Sequence, residues 1–343
     1  MSKFASALIT WHPLHGRQAL PWQGTRDPYH IWLSEIMLQQ TQVSAVIPYY
    51  ERFLGRFPDV SSLAAASQED VLELWSGLGY YARGRNLHLA SQKIVSEFHG
   101  QFPNSAKTIE TLPGVGRSTA AAIAAFAFGE RSAILDGNVK RVLTRCFGIE
   151  GWPGESAVEA RLWQLAEKLL PQRHIETYTQ ALMDLGATVC TKTKPDCSAC
   201  PVRQGCVARK KSRVADIPAP RPRKALPTKR ATWLLLLHKG TVLMERRPSA
   251  GLWGGLWTFP ESASKNIEAH CRSALGCEIA SIKKLKILEH GFSHFNLRIR
   301  PLACEVRRVA PRAEESGRMW IDLEDAKSAA VPAPVRKVLK KIS

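Results

Sequence analysis

Apolar residues recur at helical spacing over 31–47, 71–75, 87–98, 118–128 and 139–147. Alternating, strand-like runs are scarce up to Cys206, so this part of the chain reads as helices. The texture changes over 208–230. Pro218, Pro220, Pro222 and Pro227 lie there among basic residues, and periodicity is lost, which marks an extended linker. Beyond it the pattern turns to β. Runs at 231–237 and 241–246 flank His238-Lys239-Gly240, a hairpin signature. Further strands are expected at 257–259, 283–289 and 296–306, with helices at 267–275 and 335–341. The pattern predicts a mainly α region at 1–207, a basic linker at 208–230 and a small α+β domain at 231–343. A length of 343 residues makes two domains the default expectation.

Composition narrows the class. Hydrophobic residues make up 45% of the chain and charged ones 23%, which excludes a disordered chain. The longest apolar run, 120–128, is too short to span a bilayer. Residues 1–17 lack a basic stretch followed by an apolar one, so no secretory signal is expected and the compartment should be the reducing cytoplasm. The net charge of +18 favours a polyanionic partner, nucleic acid first. Charge alone leaves open a membrane surface, or no polyanionic partner. The linker cations Arg209, Lys210, Lys211, Arg213, Arg221, Arg223 and Lys224 suit a phosphate backbone or a merely soluble tether equally well. Cysteines in a reducing compartment argue against disulfides. Cys190, Cys197, Cys200 and Cys206 cluster and suggest metal; Cys146, Cys271, Cys277 and Cys304 are scattered and read as buried thiols.

Leu112-Pro113-Gly114-Val115-Gly116 lies between helical segments at 105–111 and 117–128. Its two glycines let the backbone turn tightly and approach a ligand. The helix that follows presents unpaired N–H groups and a positive dipole end. Gly114, Val115, Gly116 and Ser118 thus form a candidate anion site for a DNA phosphate, with an ordinary helix–helix turn as the plain alternative. Asp136 precedes a helix at 138–147, where an N-cap is its common role. A helix N-terminus should keep this carboxylate ionised. The hairpin and Asp136 together resemble the helix-hairpin-helix–Gly/Pro–Asp superfamily of base-excision glycosylases. The resemblance implies that Asp136 is catalytic: it stabilises, or traps, the oxocarbenium that forms as an N-glycosidic bond breaks.

Glu35 sits among large apolar neighbours in His30-Ile31-Trp32-Leu33-Ser34-Glu35-Ile36-Met37-Leu38-Gln39-Gln40-Thr41-Gln42-Val43. It is either a surface Glu on an exposed stripe or a buried acid. Burial would raise its pKa, and a protonated Glu can deliver a proton to N7 of adenine, turning the base into a better leaving group. The run closely resembles the signature of MutY-type adenine glycosylases, and the likeness extends over nearly the whole chain. It implies a monomer that acts on double-stranded DNA and excises adenine mispaired with 8-oxoguanine or guanine. Endonuclease III-like relatives carry a nucleophilic Lys where this chain has Ser118. A Ser cannot form a Schiff base, so a monofunctional enzyme leaving an abasic site is expected. The runner-up, a bifunctional glycosylase/lyase on oxidised pyrimidines, conflicts with Glu35 and Ser118. By the same resemblance Lys140 contacts DNA, with adventitious trapping of the aldehyde product as its other role. Gln40 and Tyr80, the latter within Gly77-Leu78-Gly79-Tyr80-Tyr81-Ala82-Arg83, match the family's intercalating wedge, which fills the gap left by a flipped base. Leu20 and Trp22, in Leu20-Pro21-Trp22, match a segment lining the base pocket; Gln23 stands where some relatives have Arg.

The cysteine spacing, Cys190-x6-Cys197-x2-Cys200-x5-Cys206, suits zinc or a 4Fe–4S cluster. The long outer gaps fit zinc less well and match the cluster loop of endonuclease III and MutY relatives, which implies one 4Fe–4S cluster. Glycosidic hydrolysis needs no electron, so the expected role is ordering the basic loop of Lys192, Lys194, Arg203 and Arg209 against phosphate. The C-terminal region resembles the Nudix-type domain that ends MutY proteins. Glu268 stands alone where a Nudix hydrolase carries a set of carboxylates for Mg²⁺, so pyrophosphohydrolysis is not expected. Phe292-Ser293-His294-Phe295 corresponds to the family loop that senses 8-oxoguanine, with Phe292, Ser293 and His294 as contacts and an ordinary hairpin loop as the alternative. The compact length suggests a bacterial, nucleoid-associated enzyme.

Overall fold

Side-chain caps start the first two helices of the N-terminal part. Ser2 caps α1 (Lys3–His15), and Asp27 caps α2 (Pro28–Leu38), whose Pro28 fills a first-turn position that needs no N–H donor. The 31–47 periodicity is not one helix. Gln40 adopts a left-handed φ of +57°, and the chain restarts as α3 (Val43–Arg56). Then come α4 (Val60–Ala65), α5 (Gln68–Trp75) and α6 (Ala82–Phe98). The hairpin is α7 (Ala106–Ile109) and α8 (Arg117–Phe128); α9 (Gly137–Phe147), α10 (Ser156–Leu169) and α11 (Ile175–Asp184) follow. Gly129 and Gly148 close α8 and α9 in the left-handed conformation. A π-turn at Leu185–Val189 leads from α11 into the cysteine loop, and α12 (Val207–Lys210) leaves it.

The structure, a computed structural model, describes residues 2–222, 225–248, 251–292, 294–310 and 317–342. It divides into two units: residues 1–65 with 86–223, and residues 66–85 with 224–343. In the first, Leu8 and Trp11 of α1, the alanine face of α8, Val142 and Leu143 of α9, Leu162 of α10 and Leu182 of α11 form one buried core. Alanines at 121, 122 and 125 let the neighbours of α8 approach its backbone closely. The expected linker is not a free tether at its start. Ala208 and Ile217 are buried in this core, and the buried Arg145 donates to the Ile217 carbonyl at 2.8 Å.

The second unit is built on a mixed sheet in which strands 257–258, 241–246, 228–238, 296–309 and 277–284 lie side by side in that order. β1 (Thr228–His238) and β2 (Thr241–Arg246) form the expected hairpin, with Lys239 and Gly240 both at positive φ. β1 also runs parallel to β6 (Asn296–Val309). The expected 283–289 strand is two pieces, β4 (Cys277–Lys284) and β5 (Leu288–Gly291), each antiparallel to β6. β3 is Trp257–Thr258. Three elements near the end of the chain complete the unit. β7 (Arg318–Asp322) and α14 (Leu323–Ser328) lack a long periodic signal and were not anticipated; α15 (Ala333–Ile342) matches the expected final helix. Alternation along β1 sends Trp233 and Leu235 to one face, packed with α15, and Leu234 and Leu236 to the other, packed with α13 (Ile267–Leu275). Residues 66–85, read from sequence as part of the helical region, cluster with this unit: Leu72 of α5 lies in the same core as Trp257 and Val335. Among the described residues no helix is long and apolar enough to cross a membrane.

Candidate active site

The fold brings two carboxylates from distant parts of the chain within electrostatic reach of each other. α2 carries Glu35 on a helix whose other residues from Tyr29 to Met37 are mostly buried. Asp136 caps α9, accepting the Val139 N–H at 2.7 Å. Burial, reinforced by the nearby Asp136 charge and opposed by Arg17, pushes Glu35 up to about 7. Near neutrality Glu35 is therefore partly protonated, as a general acid requires. Asp136 also lies above the ordinary carboxylate range. Its burial outweighs the N–H groups of Val139 and Asn138 and the cations Arg141 and Arg17 that favour the anion. The N–H groups at the helix N-terminus favour the anion as anticipated, and desolvation is the larger effect.

Glu35 lines a cavity of about 320 Å³ with Leu20, Trp22, Arg17, Ile31, Phe126 and Gln180. That volume suits a small-molecule or base-sized guest. Leu20 and Trp22 thus share a wall with Glu35, and Trp22 is held edge-on against Tyr50 at 5.3 Å. Gln23 braces the loop from inside: it accepts from Leu20 N–H and donates to the Arg17 carbonyl, both at 3.0 Å.

Sequence reasoning missed the group that organises this wall. Asp184 is fully buried. It accepts from the Arg17 backbone N–H at 2.8 Å, from Arg17 Nε at 2.7 Å and from Gln180 Nε2 at 2.9 Å, with His12 Nε2 at 3.2 Å. Arg17 and Gln180 are thereby presented to the cavity. The only sequence signal is an Asp inside an apolar helical stretch, and its partner Arg17 lies 167 positions away.

The hairpin residues divide. Gly114 has φ +77°, and a Cβ there would meet Asn86 at 2.7 Å, so glycine is required. A Cβ on Gly116 would enter open space. Val115 is buried, and its N–H donates to the Leu112 carbonyl at 3.1 Å. Ser118 turns inward, its hydroxyl accepting the Leu135 N–H at 2.9 Å. Lys140 pairs with Glu159 at 2.6 Å and does not line the cavity. Gln40 and Tyr80 both sit at positive φ, +57° and +49°, and Tyr80 is 57% exposed. Phe292 is half-buried, stacked on Phe295 at 4.6 Å and tilted against Trp253 at 5.7 Å; His294 is exposed. Ser293 lies outside the described residues, as do Arg223 and Lys224 of the linker.

Cys190, Cys197, Cys200 and Cys206 line one cavity with Arg145, Arg203 and Arg209. Arg145 fastens this loop, donating to Cys190 Sγ at 3.4 Å and to the Thr191 and Lys192 carbonyls at 2.7 and 3.1 Å. Arg141 ties the Cys190 carbonyl and the Gly186 carbonyl to α9 at 2.7 and 2.6 Å. The Cys146 thiol hydrogen-bonds Cys206 and draws it down to about 6. Among the described residues no group of three or more His, Cys, Asp or Glu side chains closes to the geometry of a single ion.

The fold and the paired carboxylates define a class, and the comparisons agree. Residues 33–168 match the HhH-GPD superfamily base excision DNA repair protein family, and residues 232–341 match the NUDIX domain family. A thermostable thymine-DNA glycosylase superposes with TM-score 0.55 and 30% identity, over 61% of this chain and 95% of its own. An endonuclease III in a non-covalent DNA complex shares the fold at TM-score 0.52 and 21% identity, over 62% of this chain and 98% of its own. The chain belongs to the adenine DNA glycosylase family, enzymes that hydrolyse N-glycosyl bonds. It is 36% identical to an adenine DNA glycosylase of Buchnera aphidicola over 99% of this chain and 96% of the relative. It is 33% identical to the Homo sapiens adenine DNA glycosylase over 99% of this chain and 74% of the relative.

Proposed function

We propose that the protein is a monofunctional DNA glycosylase that flips out adenine mispaired with 8-oxoguanine or guanine, hydrolyses its N-glycosidic bond and leaves an abasic site. The observation that carries this reading is Glu35: a carboxyl poised near neutrality in the wall of a base-sized cavity, with a second carboxylate close enough to perturb it. Adenine leaves poorly as an anion, so protonation at N7 by Glu35 makes it leave as the neutral base. Positive charge then develops on the sugar, and ionised Asp136 stabilises it. Leu20 and Trp22 enclose the base, while Gln40 and Tyr80 fill the duplex. Ser118 has no amine, which supports hydrolysis without strand cleavage. We assign Phe292, Ser293 and His294 to recognition of the opposite base, and the net charge of +18 to binding the duplex as a monomer. Lys140 is kept as a DNA contact that must first leave Glu159.

Four thiols lining one cavity suit a 4Fe–4S cluster, in which each iron takes one thiolate. Cys190, Cys197, Cys200 and Cys206 would hold it, and it would supply structural cross-linking of the basic loop. The deciding measurement is base release from duplexes carrying adenine opposite each normal base and 8-oxoguanine. Release confined to the 8-oxoguanine and guanine duplexes, without strand nicking or borohydride trapping, is expected. Robust nicking without added alkali would overturn the monofunctional reading.

A further inference from the structure

The second unit takes residues 66–85 from the helical part of the chain and packs them with residues 224–343. That short segment carries Tyr80. We infer that Arg336, on the C-terminal helix α15, is a positioning residue that holds the Tyr80 turn in its projecting conformation. The inference rests on the reading of Tyr80 as the aromatic wedge.

Tyr80 is strained and exposed at once. Its φ of +49° is unfavourable for a residue with a side chain, and such a conformation persists only where its surroundings enforce it. Part of the enforcement is local. Trp75 Nε1 donates to the Gly79 carbonyl at 3.2 Å, and Arg83 Nη2 donates to the Leu78 and Gly79 carbonyls at 3.3 Å each. These bonds shape the turn but anchor it to nothing beyond itself.

The anchors come from the C-terminal residues. Where the turn begins, Arg336 Nη2 donates to Ser76 Oγ at 2.6 Å and to the Ala329 carbonyl at 3.2 Å. Where it ends, Tyr81 OH donates to the Val331 carbonyl at 3.1 Å, and Arg85 Nη1 donates to the Gly254 carbonyl at 2.9 Å. Tyr81 therefore faces inward while its neighbour Tyr80 faces out. Arg336 is an unusual choice for packing alone: its Nε is buried without a partner, a cost that an apolar residue of similar length avoids. What an apolar residue lacks is the donor to Ser76. The consequence is mechanical. The unit that carries the Phe292 loop also sets the conformation of Tyr80, so opposite-base reading and duplex wedging sit on one body.

The test uses the full-length protein and a duplex with adenine opposite 8-oxoguanine and 2-aminopurine beside the adenine, whose fluorescence reports unstacking. Arg336→Met keeps the aliphatic stem and removes the donors; Ser76→Ala removes the acceptor. Each should lower the unstacking amplitude and the single-turnover rate by about tenfold, as expected for one lost charged hydrogen bond. Binding to undamaged duplex and the melting temperature serve as controls for fold, and Arg336→Lys should recover part of the signal. In a Tyr80→Ala background, Arg336→Met should add no further loss. Normal unstacking by Tyr80→Ala alone overturns the wedge reading. Impaired Tyr80→Ala with normal Arg336→Met and Ser76→Ala overturns the positioning role and leaves the wedge standing. Additive losses in the double variant overturn the positioning role as well.

Discussion

The Ser118 hydroxyl accepts the backbone N–H of Leu135 at 2.9 Å, one residue before Asp136. One oxygen at the start of the hairpin helix thus fixes the segment that delivers Asp136. Ser118→Ala leaves a buried N–H unpaired, since Leu135 is buried, at a cost of about 1–3 kcal/mol. Base release should fall about 10-fold to 100-fold from misplacement of Asp136, measured under single turnover. An unchanged rate would detach Ser118 from the chemistry.

The pH profile follows from the two carboxylates. In the proposed reaction Glu35 acts when protonated, and it is held up at about 7, so the rate should fall tenfold per unit as pH rises beyond that value. In the proposed reaction Asp136 acts when ionised, and it is raised above its ordinary range, so the acid limb should lie higher than for a free Asp. Stability carries the same sign: a Glu35 raised in the folded state favours folding below its unfolded pKa, and that advantage is lost as pH climbs through about 7. Glu35→Gln should lose about 10²–10⁴-fold in rate. A Gln variant with full activity and an intact alkaline limb would exclude Glu35 as the acid.

Arg17 opposes the rise of Glu35. Arg17→Met should therefore shift the alkaline limb to higher pH, while lowering the rate through loss of the pocket wall. A shift to lower pH would contradict the electrostatic assignment.

Asp184 should matter to both fold and site. Removing its charge strands Arg17 against a buried amide, and the loss of a buried pair costs about 3 kcal/mol. Asp184→Asn should lower the melting temperature by roughly 6–12 °C for a unit of this size. Calorimetry of the variant checks it, and an unchanged transition would show the network to be dispensable.

Iron analysis tests the cysteine loop. About four irons per chain are expected in purified protein, and Cys197→Ser should reduce that content. Loss of iron should weaken duplex binding most at low salt and flatten its salt dependence, since the loop's expected task is phosphate contact. Zinc in place of iron would revise the cofactor.

Some of this was legible in the sequence because the signals are local. Helix caps, the Gly114 turn, the Lys239-Gly240 hairpin and the cysteine spacing each depend on neighbours within a few residues. The 31–47 run shows the limit: apolar spacing continues across Gln40, but a left-handed residue breaks the helix, and nothing in the period records a φ angle. Val115 and Ser118 show another. Position beside Gly114 and Gly116 does not reveal that Val115 is buried or that the Ser118 hydroxyl accepts from Leu135.

By itself the sequence determined which residue types could do the chemistry: Glu35 among apolar neighbours, Asp136 at a helix start, four cysteines on one loop and a serine where a Schiff-base lysine would be needed. Only the tertiary structure decided their energetics. Protonation of Glu35 depends on the burial and charges that Asp136 and Arg17 bring from distant parts of the chain. The Arg17–Asp184 anchor and the hold of Arg336 on Ser76 are equally non-local. Desolvation and charge–charge coupling act through space, so they exist only once the chain has folded.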